Sequence, residues 1–248
     1  MGRLDISSEG CARMPSRLSG GEVHVWCASL QPTRSRVASL NELAADERER
    51  ARRFRFHKDF ERFVLSRVAL RGIISRYLDV KPSALRFSYG AYGKPALAKP
   101  HEGLLSFNLS RSHDVALYAI TSGANVGIDV ERTDTDIGTD ELSERFFTPS
   151  ESACIRRFRL PEKSKVFLRY WVSKEAYVKA TGYGLALPLD SFEVSFDERP
   201  ELMGTEAKGR ASSRWALSTL DGLNDYTAAI VADQYCSKIR RCGWYSAS

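Results

Sequence analysis

Asp129 and Glu131 stand two apart in the run Gly127-Ile128-Asp129-Val130-Glu131, which reads as a strand. Residues two apart on a strand point to one side, so the run predicts two neighbouring carboxylates. Like charges so close repel, and a divalent cation relieves them best. Glu175 and Lys179 lie four apart in the stretch from Leu168 to Leu185, so they share one helical flank with Leu168 and Trp171. Phe167, Leu168, Trp171, Val172, Ala176, Tyr177, Val178 and Ala180 circle that helix instead of forming a stripe, which predicts burial on most sides. A carboxylate in such surroundings must find a cation, because burying it alone is costly. Two arrangements meet that need: an internal Glu175–Lys179 ion pair, or convergence of Glu175 with Asp129 and Glu131. Three carboxylates with no His or Cys nearby suit Mg²⁺, which takes oxygen ligands and keeps places for water and phosphate. With basic residues around them they make a phosphoryl-type site.

The elements that must position these groups follow in order. Val23–Ala28 reads as a strand, Asn41–Arg53 and Asp59–Leu78 as helices, and Leu85–Tyr89, Leu104–Leu109 and Val115–Ile120 as strands. Val126–Val130 opens a second series. Thr148-Pro149-Ser150-Glu151 starts a helix, with Thr as N-cap, Pro at the first position and Glu completing a capping box. The long helix runs from Lys163 to Ala180 and stops at Gly182 and Gly184; strands follow at Phe192–Phe196, Trp215–Ser218 and Tyr226–Val231, with a loop over 197–212. The order strand, helix, helix, strand, strand, strand thus occurs twice. This predicts an α+β protein of two similar lobes, each with helices on a small, mainly antiparallel sheet, related by a pseudo-twofold with clefts between them. The expected divisions are a disordered lead-in over 1–21, a first lobe over 22–123, a second over 124–233, and a tail over 234–248.

The 248 residues carry a net charge of +6, unevenly spread. Between Glu47 and Arg76 there are ten Lys or Arg against four Asp or Glu, which favours an anionic partner such as a nucleotide, a nucleic acid or an acidic protein. Five cysteines, odd in number and without C-x-x-C spacing, argue against a disulfide framework or a zinc site and suit a reducing cytoplasm. No apolar h-region marks a signal peptide, and no apolar run approaches the ~20 residues that span a membrane. The expected localisation is cytoplasmic, with no membrane contact.

The residues also carry a resemblance. Gly127-Ile128-Asp129-Val130-Glu131 and the run Trp171 to Ala180, W-V-S-K-E-A-Y-V-K-A, resemble the two signature motifs of 4′-phosphopantetheinyl transferases. With them, in matching order, go Tyr92-Gly93-Lys94-Pro95 and Phe107-Asn108-Leu109-Ser110, similar to two further motifs of the larger, Sfp-type branch. Arg52-Arg53-Phe54 and the run Leu185 to Phe192, L-A-L-P-L-D-S-F, extend the similarity to about residues 23–232. The resemblance implies the family's two-lobed pseudo-dimeric fold. It implies a reaction in which the phosphopantetheine arm of coenzyme A passes to a serine of an apo carrier protein (acyl, peptidyl or polyketide), releasing adenosine 3′,5′-bisphosphate. It implies Mg²⁺, or Mn²⁺ in its place, on Asp129, Glu131 and Glu175. Glu175 would also be the general base, directly or through a metal-bound water, and Lys179 would hold the phosphate whose bond breaks. Arg50, Arg53, Arg62, Lys94, Ser110, Arg111, Lys174 and Lys179 would hold coenzyme A. The implied carrier is acidic and the implied enzyme monomeric.

One position departs from the family pattern. Asn-x-Ser-His-Ser is usual, and here the order is Asn108-Leu109-Ser110-Arg111-Ser112-His113. Arginine stays charged and can donate two parallel bonds to phosphate, so anion binding survives the exchange and proton transfer does not. Two other readings compete with this one. A different phosphoryl or nucleotidyl transferase would need a G-x-x-x-x-G-K-[ST] loop or a Rossmann glycine fingerprint, and neither is present. A nucleic-acid-binding module would show a recognisable motif, and three carboxylates would repel its backbone; the expectation is no nucleic-acid partner.

Overall fold

The computed structural model describes residues 5–7 (backbone only), 18–32, 40–133, 138–203, 214–236 and 238–245. Most of the expected lead-in over 1–21 and the end of the expected loop over 197–212 lie outside the described residues. After β1 (Asp5–Ser7), the first lobe is built from β2 (Glu22–Ser29), α1 (Ala45–Arg52), α2 (His57–Leu78), the hairpin β3 (Phe87–Tyr89) and β4 (Pro95–Leu97), β5 (Ser106–Ser112) and β6 (Val115–Thr121). The second is built from β7 (Val126–Arg132), α3 (Thr139–Phe146), α4 (Pro149–Arg156), α5 (Glu162–Thr181), the short hairpin β8 (Glu193–Val194) and β9 (Leu202–Met203), β10 (Trp215–Thr219) and β11 (Tyr226–Asp233).

The two lobes share a topology. In the first, β6 lies antiparallel between β2 and β5; in the second, β11 lies antiparallel between β7 and β10. The expected α+β class and the repeated order are therefore observed. The sequence reading omits α3, which is polar, short and begins at Gly138 with no side-chain cap. It also leaves 234–248 as a tail, and this needs correction. β12 (Lys238–Trp244) returns to the first lobe and pairs in parallel with β2, and β1 pairs in parallel with β12. A register shift between Arg241 and Gly243 puts the buried residues Ile239 and Cys242 three apart, which erases the period-two signature of a strand.

Apolar side chains fill three spaces between four layers. Leu65, Ala69, Leu70, Ile73 and Ile74 of α2 cover the outer face of the first sheet at Trp26, Ala28, Tyr118 and Ile120. Val23, Val25, Leu117 and Ala119 meet Val126, Ile128, Val130 and Ile230 between the two sheets. Val172, Ala176 and Ala180 of α5 cover the outer face of the second sheet at Ala229 and Val231. Because β6 faces α2 on one side and the second lobe on the other, all seven of its residues are buried, and its sequence is hydrophobic from Val115 to Ile120.

Helix ends follow their residues. Thr148 Oγ1 accepts from Glu151 N, and Glu151 Oε2 accepts from Thr148 N at 3.0 Å, the capping box expected of that sequence. Gly182 ends α5 with φ +78°, a conformation that glycine adopts without steric cost.

Candidate active site

The sheets adjoin where β5 meets β7, and side chains stitch that seam. Asn108, Ser110 and Ser112 alternate along β5, so all three reach the same side. Asn108 Oδ1 accepts from Ile128 N at 3.0 Å, Ser110 Oγ donates to Asp129 Oδ1 at 2.7 Å, and Ser112 Oγ donates to Glu131 Oε2 at 2.8 Å while accepting from Arg132 N. Asp129 and Glu131 thus share one face, as their spacing predicts. Sequence reasoning misses Asn108 and Ser112 as site residues, although the alternation Asn-x-Ser-x-Ser is the signal that finds them.

The long helix α5 lies directly on this seam because Gly127 has no side chain. A Cβ there would fall 2.1 Å from Ala176 O and 2.3 Å from Ala180 N. Ala176 and Ala180, one turn apart and fully buried, complete the close approach. Glu175 and Lys179 flank those alanines; Lys179 is carried onto Asp129, and Glu175 lies near enough to feel its charge. Lys179 Nζ donates to Asp129 Oδ1 at 2.6 Å and to Ser110 Oγ at 2.9 Å. The structure thus takes neither of the two expected arrangements as such: Lys179 pairs with Asp129 across the seam.

The electrostatics match a site short of positive charge. Burial, then the negative charge of Asp129, pushes the Glu175 carboxyl above its ordinary value. Burial also raises Glu131, with Asp129 and Glu175 adding to the effect against the Ser112 hydrogen bond. Asp129 Oδ2 is buried and has no hydrogen-bond partner. No group of three His, Cys, Asp or Glu among the described residues is drawn together tightly enough to make a formed metal cluster. The donor set nonetheless fits a hard divalent cation: oxygen atoms only, one of them orphaned, and two carboxyls whose ionised forms are disfavoured.

Beside the seam stands an arginine-rich surface. Arg111 follows Ser110 and lays its guanidinium 5.3 Å from the Phe63 ring centre and 5.9 Å from that of Phe54. Arg50 faces Phe63 from 5.7 Å. Burial against these rings, then repulsion from Arg50, lowers the Arg111 pKa. Asp46, Glu49, Arg50, Arg53 and Phe54 line an open hollow of about 590 Å³. Arg53 is paired with Glu49 one turn back on α1.

Three residues assigned by resemblance to coenzyme A are engaged elsewhere. Lys174 is fully buried behind α5, where its ammonium meets Glu151 Oε2 at 2.8 Å and donates to Leu189 O and Phe192 O. Its ammonium is thus engaged inside the second lobe, with Glu151 and two backbone carbonyls. Lys94 Nζ donates to Val126 O and Ala180 O, both at 3.1 Å, pinning the β3–β4 hairpin to β7 and to the end of α5. Arg62 Nε donates to Asp114 Oδ1 at 3.0 Å, with a second bond from the same guanidinium, tying α2 to the β5–β6 turn. The sequence presents each as a free cation, and each finds an acceptor that no sequence motif specifies.

Residues 125–231 match a model of the 4′-phosphopantetheinyl transferase superfamily, and residues 28–124 match one of the N-terminal part of a 4′-phosphopantetheinyl transferase. The 4′-phosphopantetheinyl transferase HetI of Nostoc sp. is 38% identical over 217 residues, covering 86% of this chain and 88% of that protein. The 4′-phosphopantetheinyl transferase Sfp of Bacillus subtilis is 36% identical over 152 residues, covering 61% of this chain and 66% of that one. Among solved structures, a holo-(acyl-carrier-protein) synthase from Bacillus anthracis aligns with 44% of this chain and 94% of its own, at a TM-score of 0.37 and 24% identity. The chain belongs to the 4′-phosphopantetheinyl transferase family and is a transferase.

Proposed function

We propose that this protein moves the 4′-phosphopantetheine arm of coenzyme A onto a serine hydroxyl of an apo carrier protein. The serine oxygen forms the new bond to phosphorus, the bond to the bridging pyrophosphate oxygen breaks, and adenosine 3′,5′-bisphosphate leaves. The observation that carries this reading is the meeting of Asp129, Ser110 and Lys179 at the lobe seam, with Asp129 Oδ2 orphaned and Glu131 and Glu175 close enough to feel its charge.

Each residue has a role in that reading. Asp129, Glu131 and Glu175 would hold Mg²⁺ or Mn²⁺, and a cation bound there supplies charge neutralisation at the pyrophosphate. Glu175, its carboxyl raised by burial and by Asp129, is the group to accept the serine proton, because a base is most effective when its pKa approaches the working pH. Lys179 steadies the phosphate whose bond breaks, exchanging its contact with Asp129 for one with the substrate. Arg50 and Arg53, which line the hollow, and Arg111 and Ser110 would take the remaining phosphates, while Phe54 and Phe63 back the guanidiniums of Arg50 and Arg111.

The lobes 22–123 and 124–233 act as two halves of one monomer, with the site at their junction. A cytoplasmic setting suits the free thiols at Cys27, Cys154, Cys236 and Cys242, and no helix among the described residues is long and apolar enough to cross a membrane. The test is intact-mass analysis of apo acyl and peptidyl carrier proteins incubated with coenzyme A and Mg²⁺. A gain of one phosphopantetheine that disappears when the carrier serine is changed to alanine is the expected result, and no gain on any carrier sinks the reading.

A further inference from the structure

The two oxygens of Asp129 are treated differently. Oδ1 takes the Lys179 ammonium at 2.6 Å and the Ser110 hydroxyl at 2.7 Å, while Oδ2 is buried with no hydrogen-bond partner. The Asp129 side chain is 4% exposed and the Lys179 side chain 28%, so the carboxylate lies deep and the ammonium nearer to solvent. The flexible four-carbon stem of a lysine can carry its ammonium outward without moving α5.

That ammonium acts on more than one carboxylate. Burial raises Glu131 and Glu175 above their ordinary values and the charge of Asp129 adds to the rise; Lys179 opposes it in both. Lys179 thus offsets part of the negative charge that a hard divalent cation at the seam would offset. Positive charges a few ångströms apart repel, and they repel most where water is scarce. A cation approaching Asp129 Oδ2 therefore works against Lys179 for as long as the ammonium stays on Oδ1. A phosphate arriving from the solvent side offers the ammonium a different partner. Once Lys179 moves to it, Asp129 keeps the Ser110 bond and regains its full charge for the cation.

We propose that Lys179 is a mobile counterion that couples the two ligands of the seam, holding down the affinity for a divalent cation until a phosphate draws the ammonium off Asp129. This rests on the transferase reading above and adds to it how the site is loaded: cation and phosphate together, not cation first. By linkage, the cation raises the affinity for the phosphate by the same factor. The role has an unusual sign. A lysine that merely held the site together would weaken cation binding when removed, whereas a counterion strengthens it.

The experiment measures Mn²⁺ binding by electron paramagnetic resonance, without coenzyme A, for the parent, Lys179→Gln, Lys179→Met and Lys179→Arg. Circular dichroism and denaturant unfolding check that each variant is folded. Lys179→Gln keeps an N–H donor for Asp129 and Ser110, so it removes the charge even if Lys179→Met does not fold. The expected Mn²⁺ affinity is ~10-fold above the parent's in the two neutral variants and close to the parent's in Lys179→Arg, since only the neutral variants relieve the repulsion. Calorimetry of coenzyme A in EDTA and in Mg²⁺ then reads the coupling. The parent should gain more affinity from Mg²⁺ than Lys179→Gln does, by about the same ~10-fold. Mn²⁺ affinity at or below the parent's in the folded neutral variants overturns the counterion role. An equal gain from Mg²⁺ in the parent and in Lys179→Gln overturns the coupling. Either result leaves phosphopantetheine transfer by the parent, measured separately on apo carrier proteins, to stand. A parent that shows the expected Mn²⁺ order and modifies no carrier supports the counterion and overturns the transferase reading.

Discussion

Lys174 and Glu151 meet at 2.8 Å inside the second lobe, and Arg71 and Glu47 meet in the same manner inside the first. In both lobes the carboxylate is the third residue of the short helix, α1 or α4. Each also accepts from the backbone N–H that opens its helix: Ala44 N reaches Glu47 Oε2 and Thr148 N reaches Glu151 Oε2, both at 3.0 Å. In both lobes the cation comes from the middle of the long helix, α2 or α5, and is fully buried. Arg71 also donates to Pro82 O and Leu85 O, and Lys174 to Leu189 O and Phe192 O, so each cation also fixes the segment after its long helix. The two lobes therefore repeat a buried polar joint as well as a strand order. Arg67 adds a second guanidinium to Glu47 in the first lobe only.

The first prediction follows from that joint. Lys174→Met leaves the Glu151 carboxylate buried without its cation, and breaking a buried pair from one side costs about 3–5 kcal/mol. Denaturant unfolding should show the loss. Coenzyme A affinity, measured on the folded fraction by calorimetry, should stay at the parent value, because the Lys174 ammonium is engaged inside the second lobe. A selective loss of coenzyme A affinity at parental stability would return Lys174 to the site.

The second concerns Gly127→Ala. The new methyl would meet backbone atoms of Ala176 and Ala180, which cannot swing aside as a side chain can. α5 must lift from β7, at a cost of roughly 1–3 kcal/mol by analogy with overpacked cores. Lifting the helix also carries Lys179 and Glu175 away from Asp129, so turnover should fall further than stability explains. Chemical denaturation read beside kcat on the folded protein separates the two effects.

Burial pushes Lys94 down from 10.5 to about 8, which gives a third prediction with a definite sign. The folded pKa lies below the unfolded one, so between about pH 8 and 10.5 the folded protein binds fewer protons at this site. Stability contributed by Lys94 therefore rises with pH across that window. A neutral amine still has two N–H groups for Val126 O and Ala180 O, so the pin survives deprotonation. The parent should gain ~1–3 kcal/mol relative to Lys94→Met between those limits. Paired unfolding curves at pH 7.5 and 10 would check this as a difference, and a constant gap between parent and variant would refute it.

Much of the site is legible in the sequence, because its signal is spacing. A period of two places Asp129 and Glu131 on one face, and a period of 3.6 places Glu175 and Lys179 on one flank; the structure brings Lys179 onto Asp129. What is not legible depends on contacts distant in sequence. Nothing local to Lys94 indicates that its acceptors are carbonyls at 126 and 180, and nothing near Arg62 indicates Asp114. β12 is hidden by a bulge, and its parallel partner β2 lies at the other end of the chain. Lys174 is the instructive case: its motif points to the ligand, and its position on α5 points into the core.

The last prediction separates two jobs assigned to the carboxylates. Asp129 is proposed as a metal ligand only, and Glu175 as ligand and base. Asp129→Asn keeps an oxygen and removes a charge, so the affinity for Mg²⁺ should fall, and excess Mg²⁺ should restore part of the rate. Mn²⁺ binds oxygen sites more tightly within the divalent series and should restore more. Lys179 also loses its charged partner in that variant, so the thermal midpoint should drop even without metal. Glu175→Gln removes a ligand charge and the proton acceptor together. Saturating metal should repair the first defect and leave a turnover deficit of ~10²–10⁴-fold, the usual worth of a general base. Both variants need saturating coenzyme A and carrier, so that the remaining deficit lies in kcat. Direct Mn²⁺ binding by electron paramagnetic resonance gives a reading independent of turnover: both variants should bind more weakly than the parent, and only Glu175→Gln should stay slow once loaded. If metal rescues Glu175→Gln as fully as Asp129→Asn, Glu175 is not the base, and the proton must leave through a water at the site.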